Sequence, residues 1–154
     1  MVRLYKAKQG TLHYWEAWED SGAVIVHWGK IGEKGKSEEI RGFKTEEFQQ
    51  IIKKKVAKKV GEGFEEIDEE EMSILVIEYK SDGIEENLDK YDRIEEAIND
   101  ILGCNGLGYC DGNSVGAGTM EIACFVVDFE IARKILKKEL KNTEFKNFQK
   151  IYKE

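Results

Sequence analysis

In the first half of the chain, apolar and polar positions alternate with a period of two. Residues 12–18 (LHYWEAW) and 23–28 (AVIVHW) are rich in aromatic and β-branched side chains, which suit a half-buried pleated surface, and they predict two strands. Glu19, Asp20, Ser21 and Gly22 between them are turn formers, so the pair reads as a hairpin. Val24, Val26 and Trp28 share one face of the second strand. Gly32 and Gly35 mark another turn, and residues 36–43 predict a further strand. At Thr45 the period lengthens. Thr45 is the expected N-cap, Glu46 and Glu47 suit the positive start of a helix, and lysines crowd its far end. Phe48, Ile51, Ile52, Val56 and Val60 form one helical stripe, and Gly61 and Gly63 end it.

After the acidic run of residues 65–71, strand and helix patterns take turns. Residues 74–79 (ILVIEY) predict a buried strand. Asp92 and Glu95 have the spacing of a capping box, followed by Ile94, Ala97, Ile98, Ile101 and Leu102 on one face, with Gly103 expected at the helix end. A strand is expected around residues 106–110, and Asp111-Gly112 is the expected bend of a hairpin. Residues 120–127 predict another strong strand. Asp128 is placed to cap a second helix with Ala132, Ile135, Leu136 and Leu140 inward, and a weaker strand over 145–152 closes the chain. The order β-α-β-β-α-β is that of a ferredoxin-like domain.

Composition narrows the picture. The chain has 154 residues, 41% hydrophobic and 36% charged, as in a globular protein with a charged surface. No apolar run approaches the roughly 20 residues of a membrane helix, and the N-terminus lacks the apolar core of a signal peptide. Three cysteines are too few for a disulfide scaffold and read as reduced thiols. The expected location is the cytoplasm. The net charge of −7 is unevenly spread: residues 1–68 carry 13 Lys+Arg and 12 Asp+Glu, residues 69–154 carry 11 and 19. Any basic footprint for nucleic acid is therefore confined to the first half.

Several chemistries are absent from the pattern. There is no Walker loop, and Gly103, Gly106 and Gly108 follow a helix rather than a strand, the reverse of a dinucleotide-binding turn. The glycine-rich segment 103–118 contains no lysine or arginine, so its glycines read as turns and not as a phosphate cradle. Cys104, Cys110 and Cys124 lack zinc spacing. His13 and His27 fall in neighbouring strands as a cross-strand pair with no further ligands. No nucleophile elbow is present. No cofactor, no metal and no small-molecule ligand is expected, and the chain is not expected to be an enzyme.

The first half resembles the WGR domain, a nucleic-acid-associated module of poly(ADP-ribose) polymerases and many bacterial proteins. Trp15 and Trp18 lie in one strand; Trp28-Gly29-Lys30-Ile31-Gly32 follows, with Gly35 close behind; Phe43 precedes the helix and a Lys-Lys-x-Gly-x-Gly-Phe ending (58–64) follows it. The family's third signature residue is arginine, and Lys30 keeps the charge but not the planar fork. The resemblance implies a small antiparallel sheet with a helix that helps hold a DNA end, its tryptophan near the terminal sugar. Trp28 and Lys30 are then the first contact candidates. Lys53, Lys54, Lys55, Lys58 and Lys59 cluster on the helix as a candidate basic patch, of which Lys53, Lys54 and Lys58 are taken as contacts. An indole can stack on a base or sugar, and lysines neutralise phosphate. The bland readings stand beside this one: Trp15 and Trp18 as packing residues, the lysines as a solvated face.

The expectation is an α+β protein with a WGR-like domain at 1–64, an acidic linker at 65–71 and a ferredoxin-like domain at 72–154. Its expected role is that of a non-catalytic adaptor contacting nucleic-acid ends, or a DNA- or RNA-associated protein, and not a membrane. The remaining residues are too few for an ADP-ribosyltransferase catalytic domain. The alternative is a protein-partner regulator whose acidic domain blocks a basic surface, as an immunity or antitoxin protein does.

Overall fold

A computed structural model describes residues 1–81, 88–116 and 118–154. The chain separates into two compact units, Met1–Ile67 and Asp68–Glu154. The expected α+β class holds in both.

In the first unit, strands β1 (Val2–Lys8), β2 (Thr11–Asp20), β3 (Ala23–Lys30) and β4 (Lys36–Ile40) form an antiparallel meander in that order. The alternation along the chain does not mark the first strand. Its Val2 and Leu4 nevertheless join the apolar face, while Lys6 and Lys8 obscure the alternation. Tight turns close the first two hairpins with positive φ at Gln9-Gly10 and Ser21-Gly22, which matches the right-handed twist of the flanking strands. The fourth strand stops at Ile40, short of the expected end, and Phe43 is exposed.

Helix α1 (Thr45–Gly61) lies on one face of this sheet. Phe48 and Ile52 are buried with Leu4, Trp15, Ala17, Val24, Val26 and Phe64. Burying each such side chain contributes about 1.5–3 kcal/mol, which holds the helix down better than its modest propensity does. Two terminal assignments change. Lys44 and not Thr45 is the N-cap residue, without a side-chain cap, and Val60 is exposed. At the other end Gly63 (φ 101°) donates to the Val60 carbonyl while the Phe64 N–H reaches that of Lys59, a Schellman ending that turns Phe64 back into the core. Glu65 then pairs its backbone with Tyr5, so part of the acidic run is built into the first unit.

In the second unit, β5 (Ser73–Lys80), α2 (Leu88–Cys104), β6 (Gly108–Val115), β7 (Thr119–Val126), α3 (Phe129–Leu140) and β8 (Lys150–Lys153) follow in the expected order. The sheet runs β6-β7-β5-β8 with every neighbour antiparallel, the strand arrangement of a ferredoxin-like fold. Leu75, Ile77, Met120, Ile122 and Val126 are buried, as are Ile94, Ile98, Leu102, Ala132, Leu136 and Leu140 from the two long helices. Asp128 caps α3 as expected, accepting the Ile131 N–H at 2.9 Å.

Other local expectations are corrected. Asp92 lies inside α2 and caps nothing at its start, because the helix already runs at Leu88. Gly103 is also helical. The left-handed residue that ends the helix is Gly106 (φ 64°), with Leu107 donating to the Leu102 carbonyl. Asp111-Gly112 is a bulge within β6 and not the bend, which closes where the Gly116 N–H meets the Thr119 carbonyl at 2.8 Å. The last strand covers only Lys150–Lys153.

Candidate nucleic-acid interface

Strands β2 and β3 place Trp15 directly opposite Trp28. Trp15 is 3% exposed and sits in the core, whereas Trp28 is only partly buried and packs against the core's edge. One side of α1 approaches the same spot. Trp15, Val26, Trp28, Glu38, Lys55, Lys58 and Lys59 together line an open groove of about 190 Å³. Three lysines against one glutamate make this groove basic, with an indole in its wall.

The lysines are not equivalent. Lys59 is held by Glu62 at 3.1 Å and lies 5.3 Å over the Phe64 ring, which Lys8 also approaches at 5.4 Å. That Lys59 hydrogen bond holds the exposed Glu62 carboxyl below its ordinary range, with Lys58 and Lys6 adding to the effect. Lys55 and Lys58 enter no ion pair among the described residues. They are the cations most available to an incoming phosphate.

Of the residues expected from the sequence, Trp28 and Lys58 therefore meet in one groove. Lys30 stands at the exposed end of β3, opposite His13, outside the groove lining. Lys53 and Lys54 are exposed on α1 and also outside it. Lys55 and Lys59 take their place. The signal for this was present: they fall three and seven residues after the buried Ile52, on the flank of the apolar stripe, while Lys53 and Lys54 follow Ile52 directly and turn outward.

The groove's tryptophan is positioned by the segment that follows it. A Cβ on Gly35 (φ 63°) would stand 2.0 Å from the Trp28 carbonyl oxygen, and one on Gly29 would stand 2.8 Å from the Gly35 Cα. The loop 31–35 can lie against β3 only because both positions lack a side chain. From β2, the Tyr14 hydroxyl donates to the Glu33 carbonyl at 2.8 Å, and the His27 Nε2 meets the Lys34 carbonyl. His27 is oriented by the buried Glu16, whose carboxylate is 2.8 Å from Nδ1 and 3.3 Å from the Arg3 guanidinium. A buried carboxylate needs such partners.

The two histidines are not a cross-strand pair: Glu16 faces His27, and Lys30 faces His13. Slight desolvation and the nearby Lys8 and Lys30 hold the His13 imidazole below its ordinary range. Among the described residues no group of three or more His, Cys, Asp or Glu is arranged to hold a metal ion. Two glycines of the glycine-rich segment have backbone roles. Gly106 ends α2, and a Cβ on Gly108 would meet the Phe125 carbonyl oxygen at 1.9 Å.

Residues 2–71 match the family model of the WGR domain, a nucleic-acid-binding module. No curated protein and no solved structure matches the chain. No described helix is long and apolar enough to cross a membrane.

Proposed function

We propose that this chain, whose residues 2–71 match the WGR family model, is a non-catalytic adaptor which contacts nucleic-acid ends through the groove of Trp28, Lys55 and Lys58. The observation that carries this reading is the partly buried indole set among helix lysines of which two, Lys55 and Lys58, enter no ion pair among the described residues. A terminal base or sugar offers a flat face for Trp28, and the flanking phosphates lie within reach of lysine stems. Stacking of this kind contributes about 1–3 kcal/mol per base, and each neutralised phosphate makes binding salt-dependent. Lys30 adds charge beyond the groove.

The second unit works against phosphate. Residues 68–154 carry 11 Lys+Arg against 20 Asp+Glu, so affinity for nucleic acid is expected to be modest at physiological salt. Fluorescence anisotropy with a labelled duplex at low salt tests the proposal. Binding should be competed by linear duplex with free ends far better than by closed circular DNA, and Lys58→Glu should weaken it. Equal competition by both DNA forms would remove the preference for ends, and no binding at low salt would remove the function.

A second reading rests on the acidic unit, where Asp92, Glu95 and Glu96 line one open groove. Such a surface suits a basic protein partner. Retention of this chain by a lysine-rich protein, lost on Asp92→Asn with Glu96→Gln and unaffected by Lys58→Glu, would favour it over the first reading.

A further inference from the structure

Cys110 and Cys124 are register partners across β6 and β7, with their Sγ atoms 3.3 Å apart and no bond between them. Directly opposed residues of antiparallel strands have Cα atoms about 4.5–5.5 Å apart, inside the range a disulfide spans. The Cys110 N–H is turned away from Cys124 and donates to the Asn99 side chain at 2.9 Å. This is the orientation of a non-hydrogen-bonded pair, in which side chains approach most closely. The bulge between Cys110 and Gly112 leaves the strand free to adjust locally.

The two thiols differ in access. Cys124 is 1% exposed, whereas Cys110 is partly exposed and lines an open groove of about 320 Å³ with Asp92, Glu95, Glu96 and Asn99. Three carboxylates at that mouth repel an anionic oxidant such as glutathione disulfide, and a small neutral hydroperoxide passes.

We propose that Cys110 and Cys124 are a peroxide-responsive dithiol that closes into a disulfide across β6 and β7. Hydrogen peroxide is reduced at Cys110, its O–O bond breaking as the sulfur takes one oxygen, giving the sulfenic acid and water. Cys124 then attacks that sulfur. An S–S bond forms, and the sulfenic hydroxyl leaves with the Cys124 proton as a second water, so two thiols and one peroxide yield one disulfide and two waters. Cys124 is sealed from solvent and Cys110 is not, which makes Cys110 the first site of attack. The contact with the Cys110 thiol and burial push the Cys124 thiol above its ordinary range, and oxidation of Cys110 removes that contact before Cys124 attacks. The product ties the edge strand β6 to the sheet, and a thiol reductant restores the open pair.

The full chain treated with hydrogen peroxide, alkylated and weighed intact should lose two alkylation sites and two hydrogens, about 2 Da. Digestion should then yield a Cys110–Cys124 linked peptide, with the exposed Cys104 still alkylated and dithiothreitol reversing the change. Cys124→Ser should instead hold Cys110 as a sulfenic acid trapped by dimedone. Glutathione disulfide at the same concentration should act many-fold more slowly, and Asp92→Asn with Glu96→Gln should narrow that gap. Three thiols that remain alkylatable after peroxide, a linkage through Cys104, or direct passage of Cys110 to the sulfinic acid in the unsubstituted chain would overturn the proposal. Equal rates with both oxidants would overturn its charge selectivity.

Discussion

Trp15 and Trp28 face each other on neighbouring strands and both line the lysine groove, yet Trp15 is buried in the core and Trp28 is only partly buried. Alternation puts both on the same face of the sheet, but Trp15 belongs to the buried cluster and Trp28 packs against its edge. Trp15→Ala is expected to cost about 3–5 kcal/mol of unfolding free energy, as for other large core truncations. Trp28→Ala should cost clearly less and act mainly on nucleic-acid binding. Urea unfolding of both variants, with anisotropy on the folded fraction, checks the pair.

Gly35 makes a sharper structural prediction. Its positive φ alone would cost an alanine about 1–3 kcal/mol, and the 2.0 Å approach to the Trp28 carbonyl adds a clash that backbone cannot relieve cheaply. Gly10 also has positive φ (77°) but open space around it. Gly35→Ala should therefore lower the melting temperature well beyond Gly10→Ala. Equal shifts would mean that the loop 31–35 does not need its close seat on β3.

The cap of α3 can be tested alone. Asp128 accepts the Ile131 N–H, and Asp128→Ala should cost about 1 kcal/mol, with Asp128→Ser recovering most of it. The matching change at Asp92, inside α2, should not resemble the loss of a cap.

His13 gives a pH dependence with a definite sign. Its folded pKa lies below the unfolded value of 6.5, so the unfolded chain takes up the proton first. Its effect is nil well above 6.5 and becomes destabilising as pH falls through 6.5 and then through the lower folded value. His13→Gln should flatten that part of the curve of melting temperature against pH. A phosphate bound near Lys8 and Lys30 would offset their charge, so the imidazole should titrate at higher pH in the nucleic-acid complex, as read by NMR.

Much of this fold is legible in the sequence because its signals are local. The aromatic alternation around Trp15 and Val24, the stripe through Phe48 and Ile52, and the Asp128 cap each need only neighbouring residues. The missed details depend on long-range partners. Strand β1 is hidden by its lysines until β2 pairs with it. The end of α2 is decided by Gly106 and not Gly103, because Leu107 must turn inward to be buried. At the site, Trp28 and Lys58 could be named from the family pattern. Choosing Lys55 and Lys59 over Lys53 and Lys54 requires knowing which side of α1 flanks the sheet.

The central claim is that the Trp28 groove binds phosphates through its lysines, and the salt dependence of affinity tests it most directly. With Lys55 and Lys58 each neutralising one phosphate, and Lys59 contributing less because Glu62 holds it, the logarithm of the association constant should fall against the logarithm of salt with a slope of roughly −2 to −3. Measured by anisotropy on a short blunt duplex, Lys55→Gln with Lys58→Gln should reduce that slope by about 2, while Lys53→Gln with Lys54→Gln should leave it nearly unchanged. A slope untouched by the first pair, or reduced equally by the second, would contradict the assignment of this groove as the nucleic-acid interface.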